Sequence, residues 1–280
     1  MGQGVFAESN VAVITGAAMG IGRAAAIRCA QLGMSVCLAD LAGDDLDSAT
    51  AQTIEAAARG SEAVLAYPAD VGDFEQVQSL AARVTEKFGA PQFLMNNAVT
   101  RIGREKPVDV AQWRRAMDVN FWGVVHGVEA FRPGMAKASN NSDSVGCIVN
   151  VGSKQGITNP PGNTIYNVCK AAVKHYTESL EHELRNDEPS RLSAHLLIPG
   201  WTTTGKAEHK QGAWLPRQVV ELMIDAVNSG SFYILCPDDE VSSDMDHRRI
   251  QWAAGDVTEN RPPLSRWHPE YKEVAAKTCN

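Results

Sequence analysis

Residues 11–32 narrow the possible folds more than any other part of the chain. Five residues, VAVIT from Val11 to Thr15, have the length and composition of a buried strand. GAAMGIG follows at once, and an Ala-rich stretch over residues 23–32 then carries helical periodicity. A strand that turns on glycine directly into a helix is the dinucleotide-binding order. Gly16 allows the tight turn, Gly20 lets the backbone approach a pyrophosphate at the helix N-terminus, and Gly22 lets helix and strand pack closely. The spacing is Gly-x-x-x-Gly-x-Gly rather than Gly-x-Gly-x-x-Gly, and the competing reading is a small-residue turn without a ligand.

The alternation continues. A strand over residues 35–39 ends in Asp40, where a carboxylate can accept both ribose hydroxyls of an adenosine and would repel a 2′-phosphate. The neighbouring places for a phosphate-binding cation, Met19 and Leu41, are neutral, and Arg23 lies inside the first helix. A helix over 43–60, a strand over 63–67, Asp70-Val71, a helix over 73–88 and a strand over 92–95 complete βαβαβ, which predicts a parallel sheet with right-handed crossovers. Asn96 and Asn97 follow that fourth strand. Residues 109–138 read as helical and contain Asn120, an amide that would pin a water or bend the helix if buried. The polar insert 138–144 reads as loop. A strand over 147–151, a helix over 164–187, a strand over 192–198, a loop over 206–215, a helix over 216–228 opened by Pro216 and a strand over 232–236 follow. The whole reads as an α/β fold, a doubly wound parallel sheet of Rossmann type in a single domain over residues 1–237, with a C-terminal extension over 238–280.

The chemistry concentrates in NVGSKQGITNPPGNTIYNVCK, residues 150–170. Tyr166 and Lys170, four apart on one helix, lie one above the other, so the ammonium can sit near the phenol. Bringing a tyrosine from a pKa of about 10 to near 7 asks for roughly 4 kcal/mol, which one cation in a shielded cleft can supply. Ser153 would aim a hydroxyl at the same substrate oxygen. Taken alone, Tyr-x-x-x-Lys occurs on many solvated helix faces, so the remaining motifs must carry the reading.

Composition sets limits on partners. The 280 residues carry a formal net charge of −7 with no basic block, which argues against nucleic acid or an anionic membrane as partner. The N-terminal residues lack the pattern of a secretory signal and no apolar run approaches the ~20 residues of a membrane span, so a cytoplasmic protein is expected. The six cysteines show no metal-site spacing, and no metal is expected; most read as buried packing residues, including Cys169 beside Lys170.

With the glycine turn, the acidic strand end, NNA, Asn120, Ser153 and Tyr-x-x-x-Lys in register from about residue 11 to 236, the chain resembles the short-chain dehydrogenase/reductase family. That resemblance implies Asn120, Ser153, Tyr166 and Lys170 as the catalytic four. It implies NAD as cofactor, held by Gly16, Met19, Gly20, Ile21, Gly22, Asp40, Asp70, Val71, Asn97, Ala98, Tyr166, Lys170, Pro199, Thr202 and Thr204, with Asp70 at the adenine and the two threonines at the nicotinamide carboxamide. In that scheme Asn120 holds a water linking Lys170 to solvent, and hydride passes between NAD and a small-molecule secondary alcohol or ketone. Val99 departs from the family's NNAG, and the chain beyond residue 235 departs from its glycine-rich ending and loosely resembles longer members such as lignin-type Cα alcohol dehydrogenases. The family also implies a homodimer or homotetramer.

Two other functions compete with this one: a catalytically silent NAD-binding assembly or sensor protein, whose signature would be a broken tetrad, and enoyl reduction, which wants a longer Tyr-to-Lys spacing. The residues expected to rim the substrate pocket are Val99, Gln155, Ile157, Pro161, Asn163, Trp201 and Trp214, suggesting an apolar or aromatic substrate, with core packing the alternative for either Trp. In the extension, residues 241–254 read as a helix, while 259–269 hold too much proline to continue one. Leu264 and Trp267 favour docking, on a neighbouring subunit in preference to the chain's own cleft.

Overall fold

A computed structural model describes residues 4–101, 109–141, 145–187, 189, 191–205 and 208–279. Seven strands form one parallel sheet in the order β3-β2-β1-β4-β5-β6-β7. The elements run β1 (Val11–Thr15), α1 (Gly20–Gln31), β2 (Ser35–Asp40), α2 (Asp44–Ala56), β3 (Val64–Pro68), α3 (Phe74–Phe88), β4 (Phe93–Asn96), α4 (Val110–Met117), a π-helical turn (Asp118–Trp122), α5 (Gly123–Asn141) and β5 (Gly146–Val151). There follow α6 (Gln155–Thr158), α7 (Thr164–Arg185), β6 (Leu192–Ile198), α8 (Pro216–Asn228), β7 (Tyr233–Leu235), α9 (Ser243–Thr258) and α10 (Lys272–Cys279).

Strand pleating sorts the core into two layers. Ala12, Ile14, Val36 and Leu38 face one side and pack with Ala25 of α1, Leu46 of α2 and Val219 and Met223 of α8. Val11, Val13, Cys37 and Ala39 face the other and pack with Leu80 of α3, Phe131 of α5 and Leu180 of α7. The strand order reverses between β1 and β4, so helices leave to opposite faces there and a crevice opens at the strands' carboxyl ends. The glycine turn after β1, Asp40, Asn97 and Ser153 lie at or just beyond those carboxyl ends.

The predicted alternation is present, with three differences. First, α1 begins at Gly20 rather than residue 23, because the glycine turn closes straight into the helix. Second, the long helix expected over 109–138 is two helices joined by the π turn, and the second continues to Asn141, into the insert read as loop; residues 142–144 of that insert and 206–207 of the later loop lie outside the described residues.

Third, the extension is more helical than expected. Helix α9 runs to Thr258, past residue 254, and the proline-rich segment forms only short 3-10 turns. Helix α10 was not anticipated. Eight residues are too few to hold a helix alone, but Ala275 and Cys279 are buried against Trp252, and that burial supplies what propensity does not. Trp252, rather than the 40% exposed Trp267, is the buried anchor of the tail. Helix α9 packs against α6 of its own chain.

Candidate active site

The cofactor rim is stitched across the crevice. Thr15 Oγ1 at the end of β1 accepts the amide N–H groups of Asn97 (3.0 Å) and Ala98 (3.2 Å), while Asn97 Nδ2 donates to the carbonyls of Thr15 (3.0 Å) and Gly16 (2.9 Å). Gly16 has φ +65°, and a Cβ there would lie 2.6 Å from Ala98 Cα. At Gly22 a Cβ would meet the Gly16 carbonyl oxygen at 2.2 Å, so the helix can begin only where the side chain is hydrogen. Ile21 and Gly22 are buried and Met19 is exposed at the N-cap position of α1. No side chain caps that helix, and its first turn holds no acid. Its N-terminus thus keeps the positive end of the helix open to an anion.

Asp40 closes the turn from the side. One carboxylate oxygen accepts Ala18 N–H and the other Leu41 N–H, each at 2.8 Å, which leaves further lone pairs on both oxygens. Asp70 accepts Gly72 N–H and pairs with Arg115 of α4 at 2.8 Å, tying the turn after β3 to the helix below. Buried Val71 donates no side-chain bond, but its carbonyl accepts from His126 Nδ1 at 2.8 Å. On the opposite lip, Thr202 donates to the Gly200 carbonyl, bridges to Trp214, and is preceded by half-buried Pro199. Thr204 lies over the glycine turn, since a Cβ at Gly20 would sit 3.3 Å from its Cβ, and its hydroxyl accepts from Arg101 at 2.7 Å.

The catalytic candidates come from three parts of the fold. Lys170 of α7 is 2% exposed; its Nζ donates to the Val151 carbonyl at 2.7 Å and lies 5.7 Å from the centre of the Tyr166 ring. Burial pulls its pKa down from 10.5 to about 8, opposed by the Cys169 thiol beside it. Cys169 itself is pushed up by burial, as expected of a packing residue rather than a nucleophile. Half-buried Ser153 follows β5, and its hydroxyl accepts Gln155 N–H at 3.2 Å.

Asn120 is 1% exposed in the π turn. Its oxygen accepts Thr100 N–H at 2.7 Å and its Nδ2 donates to the Thr100 carbonyl at 3.0 Å. Through these two bonds the side chain fixes the loop after β4.

The substrate candidates divide. Asn163 donates to Gln155 at 3.1 Å, tying the segment before α7 to the first residue of α6, and Val99 and Trp201 are exposed. Trp214 packs against the α1/α8 core layer and donates to Asp239 at 3.1 Å. Beside α6 the tail encloses a cleft of about 280 Å³ lined by Ile157, Trp252, Leu264, Arg266 and Trp267 among others; none of the four catalytic candidates lines it.

Several site-building residues were missed in the sequence. Thr15, Thr100 and Lys154 act through backbone partners or long-range ion pairs that no local pattern shows. The buried chain in which Asn96 donates to Asn150 and Asn150 to Thr177 was equally hidden. Only the strand-end position of Thr15, just before the glycine turn, was a usable signal.

The comparisons with known proteins agree with this fold. The family model described as short chain dehydrogenase matches residues 10–213, and the chain belongs to the short-chain dehydrogenase/reductase family, oxidoreductases that bind nicotinamide cofactors. The putative oxidoreductase SadH of Mycobacterium tuberculosis is 36% identical over 180 residues, 63% of this chain, and the match spans only 61% of the length of SadH. The 3-oxoacyl-(acyl-carrier-protein) reductase FabG of Thermotoga maritima is 31% identical over 226 residues, 80% of this chain and 85% of FabG. The crystal structure of a short-chain dehydrogenase/reductase from Burkholderia phymatum in complex with NAD superposes with a TM-score of 0.78 at 30% identity, covering 93% of this chain and 98% of that one. Among the described residues no helix is long and apolar enough to cross a membrane.

Proposed function

We propose that this chain interconverts a secondary alcohol and a ketone, preferring NAD(H), with an apolar or aromatic substrate. The observation that carries the reading is the buried ammonium of Lys170 held beneath the Tyr166 ring by the Val151 carbonyl. A cation fixed there stabilises the phenolate form of its neighbour, so Tyr166 can take the proton of an alcohol or return it to a ketone. Ser153, on the adjacent strand end, orients the substrate oxygen. Asn120 holds the loop through Thr100, and Asn97 and Thr15 hold the crevice open at a fixed width.

The residues fit the cofactor. The uncapped N-terminus of α1, with Gly16 at φ +65° and Gly20 at φ +58°, is a cradle that a Cβ would fill, and it suits a pyrophosphate. Asp40 would take the ribose hydroxyls, Asp70 and Val71 would flank the adenine, and Thr202 and Thr204 would close over the far side. When bound, the nicotinamide supplies the hydride donor or acceptor. The catalytic unit would comprise residues 1–237, and the assembly a homodimer or homotetramer of a cytoplasmic enzyme.

The test is a panel of secondary alcohols and ketones followed as NADH absorbance. Tyr166→Phe should abolish turnover with NADH affinity unchanged, since only the transferable proton is lost; activity within about tenfold of wild type would assign the acid/base work elsewhere. The preference for NADH should also hold: a kcat/KM with NADPH equal to or above that with NADH would remove the role given to Asp40.

A further inference from the structure

Lys154 follows Ser153 directly, yet its side chain turns to the C-terminal extension. Its Nζ lies 2.5 Å from Asp246 Oδ2, on the first turn of α9, and 3.4 Å from Asp238 Oδ2. The two carboxylates are only 5% and 3% exposed. Asp238 is in turn saturated. Its Oδ1 accepts the N–H groups of Glu240 (3.1 Å) and Val241 (2.8 Å), and its Oδ2 accepts Trp201 N–H (2.9 Å). The loop after β6 passes so close that a Cβ on Gly200 would lie 2.7 Å from Asp238 Oδ2. One ammonium therefore joins three segments: the strand end that carries Ser153, the 199–204 lip of the cofactor crevice, and α9.

The connection is stiff on its inner side as well. Helix α6 starts at Gln155, and a Cβ on Gly156 would meet the Lys170 carbonyl carbon at 2.5 Å, so α6 lies in backbone contact with the helix of Tyr166 and Lys170. A shift of Lys154 would carry Ser153 and α6 with it. Burial raises the Asp246 carboxyl above its ordinary value and Lys154 opposes the rise. Asp238 and Asp246 lie beyond residue 213, where the match to the family model ends.

We propose that Lys154 is a positioning residue through which the extension, by way of Asp238 and Asp246, sets the placement of Ser153 and of the 199–204 lip. The proposal rests on the oxidoreductase reading for the role of Ser153, but the coupling itself is a property of the fold. Severing it should loosen both segments at once, although Trp201 and Ser153 lie far from Asp246 in sequence.

Hydrogen exchange on the full chain reads the coupling without any substrate. In Asp246→Asn, which keeps the side chain's size and removes its charge, amide exchange in segments 153–158 and 200–205 should rise by about fivefold or more while that of β1 and β4 is unchanged. With the best alcohol of the panel and NAD, kcat should fall about tenfold, with the Kd for NADH within about twofold of wild type. Exchange within about twofold of wild type in both segments would overturn the proposal.

If Asp246→Asn melts α9, the double variant Lys154→Met with Asp246→Leu restores apolar packing. It should recover the thermal midpoint while exchange in the two segments stays raised; recovery of midpoint and exchange together would show that packing alone mattered and overturn the positioning role. The two readings fail separately. An active Tyr166→Phe refutes the proposed acid/base chemistry and leaves the exchange result standing, whereas unchanged exchange refutes the coupling even if Tyr166→Phe is inactive.

Discussion

Replacing Lys170 by Met should remove turnover and leave the protein about as stable as before. The fall in the Lys170 pKa from 10.5 to about 8, at about 1.4 kcal/mol per pH unit, puts the cost of keeping this cation buried at roughly 3.5 kcal/mol. Methionine is close in length and removes that cost. Against it stands the Val151 carbonyl, which loses its 2.7 Å donor, a loss of about 1–3 kcal/mol for a buried acceptor. The two largely offset each other, so stability at pH 7 should change by no more than about 2.5 kcal/mol.

The pH dependence is the sharper measurement. At pH 7 Lys170 is charged in both folded and unfolded chains, and the full cost is felt. Between pH 8 and 10.5 the folded chain sheds this proton while the unfolded chain still holds it, so wild-type stability rises relative to Lys170→Met through that window. Urea unfolding of both proteins at pH 7 and pH 10 cancels every other titrating group, and the difference should move by roughly 2–3 kcal/mol in favour of wild type. A difference that stays constant across that range would refute the claim that burial governs this lysine. So would a variant destabilised by more than about 4 kcal/mol at pH 7, which would make the ammonium a net stabiliser.

Gly156→Ala should cost about 1–3 kcal/mol of stability and lower kcat more than it raises the Kd for NADH, because its Cβ would press on the Lys170 backbone at 2.5 Å and push α6 off α7; a variant with wild-type kcat and thermal midpoint would contradict this. Asn120→Ala strands the N–H and carbonyl of Thr100 and should lower stability by about 2 kcal/mol in urea unfolding. Asn120→Asp, which keeps the acceptor and loses the donor, should fall between that variant and wild type, and equal stability for all three would show that Thr100 finds other partners.

Legibility followed the range of the interactions. Strand alternation, the glycine turn, the acidic strand end and the pairing of Tyr166 with Lys170 were all readable, because each rests on a period or spacing within one or two elements. The glycines at 16 and 22 were readable for the same reason: a tight turn into a helix leaves no room for a Cβ, and the sequence records that steric fact locally.

What the sequence left open were contacts between residues far apart in the chain. Asn120 was visible as a candidate, but that its amide would bond the Thr100 backbone, 20 residues away in the chain, depended on the tertiary structure. Trp214 could have faced the crevice or the core, and the α1/α8 layer decided for the core side. Helix α10 has too few residues to be predicted from propensity and exists because Trp252 offers a surface to bury Ala275 and Cys279. Lys154, next to Ser153, carries no sequence pattern that points to a partner. Only the folded chain brings Asp238 and Asp246 to it, and because the free energy of a buried ion pair depends on desolvation and three-dimensional distance, no one-dimensional pattern could have shown it.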